Sequence, residues 1–260
     1  MATDNTRYDR FGWDYESINP PSGAEVQWHL LWARRTGGPV LGLACGTGRL
    51  QCELARAGIE TVGLDLSAEM LAMARRHAVA LPAEARSRLQ FVSGDMSHFD
   101  LGRRFSLVSI ADNSFRELPT RRQLLECLKC IRRHLLPGGQ LLITERRFDP
   151  AIYSGGRRVF GWSEPKPHPQ TGEMVSRRGE IRLSKDHRRL RGKFIYRTTR
   201  GDGSETIEEC PWSAPILSKQ EYLELFAMAG FTARVFQGYR EVEDDGSDLV
   251  LCFVGTVPGQ

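Results

Sequence analysis

A glycine-rich turn lies between an apolar run and a helical pattern, in the segment PVLGLACGTGRL from Pro39 to Leu50. Gly46 and Gly48 let the backbone approach a ligand closely, and the helix start that follows offers free N–H groups to an anionic group such as a carboxylate. The spacing is not the G-x-G-x-x-G of dinucleotide folds, and Gly48-Arg49-Leu50 is not the Gly-Lys-Ser/Thr of a phosphate-binding loop. The turn therefore predicts a ligand site but disfavours both of these nucleotide-binding classes.

Acidic side chains follow the next predicted strands. Asp65 lies about 20 residues beyond the turn, where a carboxylate can accept hydrogen bonds from both hydroxyls of a ribose. Gly94-Asp95-Met96 follows the third strand and Ala111-Asp112-Asn113-Ser114 the fourth. All of these segments should meet at the carboxyl edge of one sheet, where open α/β folds bind ligands.

The elements that must position these residues alternate from Pro39 onward, as in a parallel sheet with helices on both faces. The predicted strands are 40–43, 61–64, 89–92, 106–110 and 140–144. The predicted helices are 48–57, 67–80 and 121–136, the last stopped by Pro137-Gly138-Gly139. The pattern predicts a doubly wound, mostly parallel α/β fold.

The pattern changes after Pro150, where glycines and prolines precede three alternating segments, 174–183, 188–199 and 204–212, which predict antiparallel strands. A helix at 218–229 and strands at 231–236 and 249–254 would complete a seven-stranded main sheet. We therefore expect one Rossmann-like domain from residues 1–150 and 213–260, with a β-rich cap inserted at 151–212.

Composition limits the other classes of protein. At 260 residues and 40% hydrophobic content, the chain can bury one sizeable core. A polar start and the lack of a long apolar run predict a cytoplasmic protein without membrane contact. Six scattered cysteines do not resemble a disulfide framework, and Cys127-x-x-Cys130 lies in a helical pattern with no second ligand pair, so we expect no metal site.

Basic residues are concentrated between Arg177 and Arg200, where ten Lys/Arg face two acids within a chain of net charge +4. The stretch has two interpretations, which the sequence leaves open. One is the solvated face of an exposed hairpin, and the other is a surface that attracts a phosphate-bearing substrate or RNA.

Five ordered motifs, LGLACGTGRL, GLDLSAEMLAMAR, FVSGDM, FSLVSIADNSFREL and LLPGGQLLITE, together resemble the class I S-adenosylmethionine-dependent methyltransferases over roughly residues 8–145. The resemblance implies a Rossmann-like sheet, S-adenosylmethionine as cofactor and S-adenosylhomocysteine as product. It also implies a cofactor site made by residues of the turn, the strand ends and an N-terminal lid, namely Tyr15, Ala44, Cys45, Gly46, Gly48, Arg49, Asp65, Leu66, Asp95, Met96 and Ala111.

The resemblance also implies individual roles. Ala44, Gly46 and Gly48 would wrap the methionine part, Arg49 could reach its carboxylate, and the Ala111 carbonyl would face its amino group. Further roles are implied for the nucleoside and the lid: Asp65 on the ribose, Asp95 on the adenine amino group, Met96 on the adenine ring, and Tyr8, Trp13 and Tyr15 in the lid.

Two positions depart from the family pattern. Gly42 stands where relatives usually have an acid that helps to hold the methionine amino group, and Ala44 stands where they have glycine. The first change removes a carboxylate and the second adds a methyl group where space is tight. An altered cofactor, or a non-catalytic S-adenosylmethionine-binding module, is left open by these departures.

The acceptor side is the less specified half of the site. Glu145 and His98 are candidates for catalysis by residue type, and Asn113, Arg116 and Arg146 could orient an acceptor. The β-rich insertion resembles the caps of small-molecule methyltransferases, including sugar N-methyltransferases. We therefore expect methyl transfer to nitrogen or oxygen of a small polar metabolite, with RNA or protein methylation through 177–200 as the alternative. A homodimer is left open.

Overall fold

The computed structural model describes residues 6–15, 22–153 and 155–257. Its main sheet has seven strands in the order β11-β12-β5-β4-β1-β2-β3. These strands are β1 Val40–Leu43, β2 Thr61–Asp65, β3 Leu89–Ser93, β4 Phe105–Ile110, β5 Leu135–Arg146, β11 Thr232–Gln237 and β12 Val250–Thr256. The neighbouring strands from β3 to β5 are parallel to one another, whereas β12 pairs antiparallel with both β5 and β11. The predicted doubly wound, mostly parallel fold is confirmed.

Helices cover the sheet and begin at the side chains that cap them. The helices are α1 Thr6–Phe11, α2 Gly23–Thr36, α3 Arg49–Arg56, α4 Ala68–Val79, α5 Ala83–Arg86, α6 Arg121–His134 and α7 Lys219–Met228. Ser67 and Thr120 each accept a hydrogen bond from a backbone N–H in the first turn of α4 and α6, and Ser218 forms a capping box with Glu221 at α7. Single 3₁₀ turns occur at Gly12–Asp14, Ser114–Glu117 and Pro150–Ile152.

The chain after β5 forms a second, antiparallel sheet. It contains β6 Arg157–Phe160, β8 Met174–Leu183, β9 Arg189–Thr199 and β10 Glu205–Pro215 in the order β10-β9-β8-β6, and β7 Lys166–Pro167 pairs with β8. We call this the cap sheet. The three predicted strands are present, joined by β6 and β7. The division of the chain into a main domain and a cap stays a prediction.

The N-terminal segment 6–15 contacts the cap sheet. The ring of Phe11 stacks on that of Tyr196 with centroids 3.5 Å apart, and Asp14 forms ion pairs with Arg177 at 3.0 Å and Lys166 at 3.5 Å. Asp14 is almost fully buried, so both its charge and its packing hold the segment there. The N-terminal segment therefore packs against the cap sheet, and its role as a lid stays a prediction.

Two features differ from the sequence-based expectation. Strand β5 begins at Leu135, before Pro137-Gly138-Gly139, because Leu135 already pairs with Phe105 and the ladder resumes after a register shift. Helix α2 was not predicted; its Trp28 lies 5.7 Å from the ring of Phe236 in the buried layer behind the sheet. No helix within the described ranges is long and apolar enough to span a membrane.

The glycine turn offers a matched test of packing. Gly48 has φ +71°, and a Cβ there would lie 2.5 Å from the Phe91 ring and 2.9 Å from Cβ of Ala74, whereas Gly46 has φ +56° and open space around it. Gly48→Ala should lower the free energy of unfolding by about 3 kcal/mol, from strain plus overpacking, and Gly46→Ala by about 1 kcal/mol from strain alone. Urea denaturation of both variants measures the difference, and equal losses would contradict this account.

Candidate active site

The turn after β1 brings its backbone close to the ends of two strands. Ala44, Gly46 and Gly48 all have positive φ, at 49°, 56° and 71°. Ala44 thus adopts a conformation that costs an alanine about 1–2 kcal/mol relative to the ordinary helical region. Helix α3 then begins at Arg49, and its first N–H groups face the same edge of the sheet.

Asp65 joins this turn to the end of β2. Its Oδ2 accepts a hydrogen bond from Gly46 N–H at 2.7 Å, and its Oδ1 accepts one from Ser67 N–H at 2.9 Å. The carboxylate is 9% exposed, and burial raises the pKa of Asp65 above its usual value despite these donors. Carboxylate oxygens have further lone pairs, so Asp65 can still accept hydrogen bonds from a ligand.

A cavity of about 590 Å³ opens along the strand ends. Seven of the predicted cofactor residues line it: Tyr15, Ala44, Gly46, Asp65, Leu66, Asp95 and Met96. Asp95 is fixed by two hydrogen bonds to one carboxylate oxygen, from Ser97 N–H and Ser97 Oγ, each 2.8 Å. The cavity therefore presents acidic acceptors and apolar surface together, as a nucleoside requires.

A second, smaller cavity of about 40 Å³ lies between the turn and the end of β4. We call it the turn cavity. Residues from the turn, α3 and β4 line it, including Gly42, Ala44, Cys45, Gly46, Arg49, Gln51, Ser109, Ala111 and Asp112. Of the predicted cofactor residues, Gly48 alone lines neither cavity, because it packs against Phe91 beneath the turn.

Arg49 lies between two carboxylates. Its Nη2 is 3.1 Å from Glu25 Oε2 and 3.7 Å from Asp112 Oδ2, and Tyr15 donates its hydroxyl to the same Asp112 oxygen at 3.0 Å. Burial raises the pKa of Glu25 to about 7, with Arg49 opposing the rise. Sequence reasoning missed Glu25 because helix α2 was not predicted; its only signal was an acid in the first turn of that helix.

A buried network holds the loop after β4. Asp112 and Asn113 have positive φ, and Asn113 Oδ1 accepts hydrogen bonds from Arg116 at 2.6 Å and from Arg146 N–H at 2.7 Å. Arg116 Nε donates to Glu145 Oε2 at 2.7 Å. Glu145 is 2% exposed, and burial raises its pKa above the ordinary value. The geometry thus favours loop positioning by Glu145 and Arg116 over contact with an acceptor.

A third cavity, of about 220 Å³, lies under the cap sheet. Aromatic rings from the N-terminal segment and the cap form its walls, and polar groups of the β4 loop form its floor: Tyr8, Phe11, Tyr15, Phe194, Tyr196, Trp212, Asp112, Asn113, Ser114 and Glu117. We call it the cap cavity. Tyr15 and Ser114 line all three cavities, so the three spaces meet there.

Several predicted residues lie elsewhere. His98 is exposed in the turn after β3, and the side chain of Arg146 is exposed at the end of β5; neither lines the three cavities. Trp13 packs edge-on against His168 of the cap, with ring centroids 5.1 Å apart, while Tyr8 and Tyr15 face the cavities. The sequence did not predict that Phe194, Tyr196 and Glu117 would line the cap cavity, because the strand register and the 3₁₀ turn determine which way their side chains point.

Known proteins match the region that carries the glycine turn and the strand ends. The family described as a methyltransferase domain matches residues 40–139, the region from β1 to β5. A dTDP-3-amino-3,6-dideoxy-α-D-glucopyranose N,N-dimethyltransferase from Streptomyces fradiae is 29% identical over 199 residues, covering 76% of this chain and 72% of that protein. Residues 40–139 are a methyltransferase domain, and the solved structures that share the fold are class I S-adenosylmethionine-dependent methyltransferases.

Solved structures share the methyltransferase fold along nearly the whole chain. An S-adenosylmethionine-dependent methyltransferase from Clostridium acetobutylicum has a TM-score of 0.74 at 16% identity, covering 97% of this chain and 99% of that one. The sugar N-methyltransferase KedS8 from Streptoalloteichus has a TM-score of 0.71 at 23% identity, with coverage of 95% and 92%. The predicted family, cofactor and methyltransferase activity are confirmed, whereas the roles of individual residues stay predictions.

The buried Glu25 gives the methyltransferase a pH-dependent stability. Its pKa is raised from 4.5 to about 7 in the folded state, so its stabilising contribution is complete below pH 4.5 and is lost as pH rises through 7. Between pH 5 and 8 the wild type should lose about 2–3 kcal/mol more unfolding free energy than Glu25→Gln.

Urea denaturation of both proteins at the two pH values measures this difference. Titrations shared by the two proteins, such as that of His29, whose burial lowers its pKa to about 4, cancel in the comparison. Parallel pH profiles for wild type and Glu25→Gln would contradict the raised pKa of Glu25.

Proposed function

We propose that this enzyme methylates the nitrogen of an amine on a small polar metabolite bound in the cap cavity. The observation that carries the proposal is the pairing of two carboxylates, Asp112 and Glu117, with aromatic walls in that cavity. Carboxylates form charge-assisted hydrogen bonds with ammonium groups, and aromatic faces attract cations. A hydroxyl acceptor could donate a hydrogen bond to a carboxylate but carries no positive charge for the aromatic faces to attract.

The arrangement of the cavities supports transfer between neighbouring ligands. When bound, S-adenosylmethionine supplies an electrophilic methyl group on a positively charged sulfur. Because Tyr15 and Ser114 border all three cavities, an acceptor in the cap cavity would approach that methyl group near these two side chains. The neutral form of the amine would attack, the positive charge would pass to its nitrogen with the methyl group, and the carboxylates of Asp112 and Glu117 can stabilise that charge before the ammonium proton leaves to water.

The relatives support an amine as acceptor. The Streptomyces fradiae protein is named as an N,N-dimethyltransferase of an amino sugar nucleotide, and KedS8 is described as a sugar N-methyltransferase. Both descriptions agree with nitrogen as the methylated atom and with a small molecule as its carrier. We therefore favour nitrogen over oxygen.

We further propose how the cofactor is held. Asp65 would accept hydrogen bonds from the ribose, Asp95 from the adenine amino group, and Leu66 and Met96 would pack on the adenine ring. The residues fit this placement because all four line the large cavity and both carboxylates are fixed by backbone N–H groups. The methionine part would then extend into the turn cavity beside Arg49.

Nucleic acid is the second candidate acceptor, because of the basic stretch 177–200. Charge pairing argues against it, since many cations of this stretch form ion pairs within the chain: Arg177–Asp14, Arg182–Glu180, Arg188–Glu221, Lys193–Glu209, Arg197–Glu205 and Arg200–Glu173. Paired cations release few counterions on binding phosphates. We therefore propose that the stretch is a solvated face of the cap sheet.

Asp65 tests the placement of the cofactor. Asp65→Asn keeps the size of the side chain but replaces one acceptor oxygen with an amide NH2 group, which only donates. Affinity for S-adenosylhomocysteine should therefore fall at least tenfold. Titration calorimetry measures the affinity, and Asp100→Asn, on an exposed aspartate outside the three cavities, is the control. Unchanged binding by Asp65→Asn would exclude its contact with the ribose.

Glu117 tests the acceptor. A panel of amino sugars and their hydroxyl counterparts is incubated with enzyme and S-adenosylmethionine, and mass spectrometry scores methylated products. We expect N-methylation of an amine, and for Glu117→Gln a KM for that amine raised about fivefold with cofactor affinity unchanged. Glu84→Gln, on a short helix away from the cavities, is the matched control. Methylation of hydroxyl compounds alone would contradict the proposal.

A further inference from the structure

The turn cavity combines groups of opposite charge. The guanidinium of Arg49 lies on it together with the carboxylate of Asp112, the amide of Gln51 and the end of β4 at Ala111. A ligand that satisfies all of these groups carries one carboxylate and one ammonium on the same carbon atom. This is the chemistry of an α-amino acid group, which S-adenosylmethionine contains.

Gln51 contributes to this cavity a side chain whose amide oxygen has no hydrogen-bond partner in the described part of the chain. It is 2% exposed, and its Oε1 is buried without a hydrogen bond to any part of the chain that the structure describes. Leaving an amide oxygen buried and unpaired costs free energy, and a ligand N–H placed there would recover it. Gln51 comes from the first turn of α3 and lines the cavity beside Gly42.

Gly42 and Gln51 compete for one space. A Cβ at position 42 would lie 1.9 Å from Gln51 Nε2 and 2.9 Å from its Cδ, so the glutamine amide fills the region that a side chain on β1 would enter. Gly42 carries no side chain at the position where related methyltransferases usually have an acid. The missing side chain at Gly42 therefore leaves room that the amide of Gln51 occupies.

We infer that Gln51 binds the ammonium group of the methionine part of S-adenosylmethionine through its amide oxygen, in place of the acid missing at Gly42. Asp112 supplies the negative charge that a neutral amide lacks, and Arg49 faces the carboxylate end of the same group. Rotation about the terminal bond of a glutamine side chain is easy, so either end of the amide can face the cavity. The inference rests on the cofactor and is independent of the acceptor.

Two ligands distinguish binding of the ammonium group by Gln51 from a purely structural role of its side chain. S-Adenosylhomocysteine carries the amino acid group, and 5′-methylthioadenosine has the same nucleoside and sulfur without it. Gln51→Leu should weaken S-adenosylhomocysteine binding on the order of tenfold while leaving 5′-methylthioadenosine binding within about twofold. Titration calorimetry with both ligands measures this. Gln51→Glu, which restores a carboxylate, should retain or strengthen S-adenosylhomocysteine binding.

A matched control comes from β5. Gln140 also buries its Oε1 without a partner in the described chain, but it lines none of the three cavities, so Gln140→Leu should leave both affinities unchanged. Equal weakening of both ligands by Gln51→Leu would assign Gln51 to packing and overturn the inference. Unchanged S-adenosylhomocysteine binding would overturn it as well.

Because Gly42 and the Gln51 amide share one space, substitutions at the two positions should have non-additive effects on ligand affinity. Gly42→Glu alone forces its Cβ against the Gln51 amide and should weaken S-adenosylhomocysteine binding, whereas Gly42→Glu with Gln51→Ala should restore it to within about threefold of wild type. Additive effects of the two substitutions would show that positions 42 and 51 do not serve the same ligand group, and would overturn the inference. Failure of the amine screen would leave these ligand affinities unaffected, so the two proposals are separable.

Discussion

The carboxylate of Asp65 links the two strand ends on which the cofactor cavity depends. By accepting hydrogen bonds from Gly46 N–H and Ser67 N–H, it fixes the glycine turn against the start of helix α4. Without this carboxylate both N–H groups would lose their hydrogen-bond partner, so its loss would affect the turn and the helix together. The same side chain lines the large cavity, so Asp65 joins the local structure of the turn to the wall of that cavity.

A second anchor lies behind the loop after β4. The buried pair of Glu145 and Arg116 holds Asn113 in a left-handed conformation, and Asp112 beside it then faces both Arg49 and the cap cavity. A charge buried in this way is expensive unless it is paired, and Arg116 supplies the partner of Glu145 Oε2. The strain of the successive positive φ angles at Asp112 and Asn113 is thus offset by the hydrogen bonds of the Glu145–Arg116–Asn113 network.

Hydrophobic periodicity was sufficient to predict the strands of the main sheet and the polar residues at their ends, because parallel strands place those ends on one edge. It could not predict Glu25, whose position depends on helix α2 packing against the sheet through long-range contacts. The cap cavity was beyond prediction for a related reason: which of Phe194 or Ile195 faces inward depends on strand register. The space shared by Gly42 and Gln51 required coordinates, since spacing alone does not reveal a close approach.

The N-terminal segment couples the cofactor side to the acceptor side. Tyr15 donates its hydroxyl to Asp112, and burial together with that neighbouring charge raises the pKa of Tyr15 well above its usual value, so the phenol stays a donor. The same segment stacks Phe11 on Tyr196 of the cap sheet. A shift of this segment would therefore move a wall of the cap cavity and release Asp112 in the same step. The wall of the cap cavity and the electrostatics of the turn cavity are consequently coupled, because both depend on this one short piece of chain.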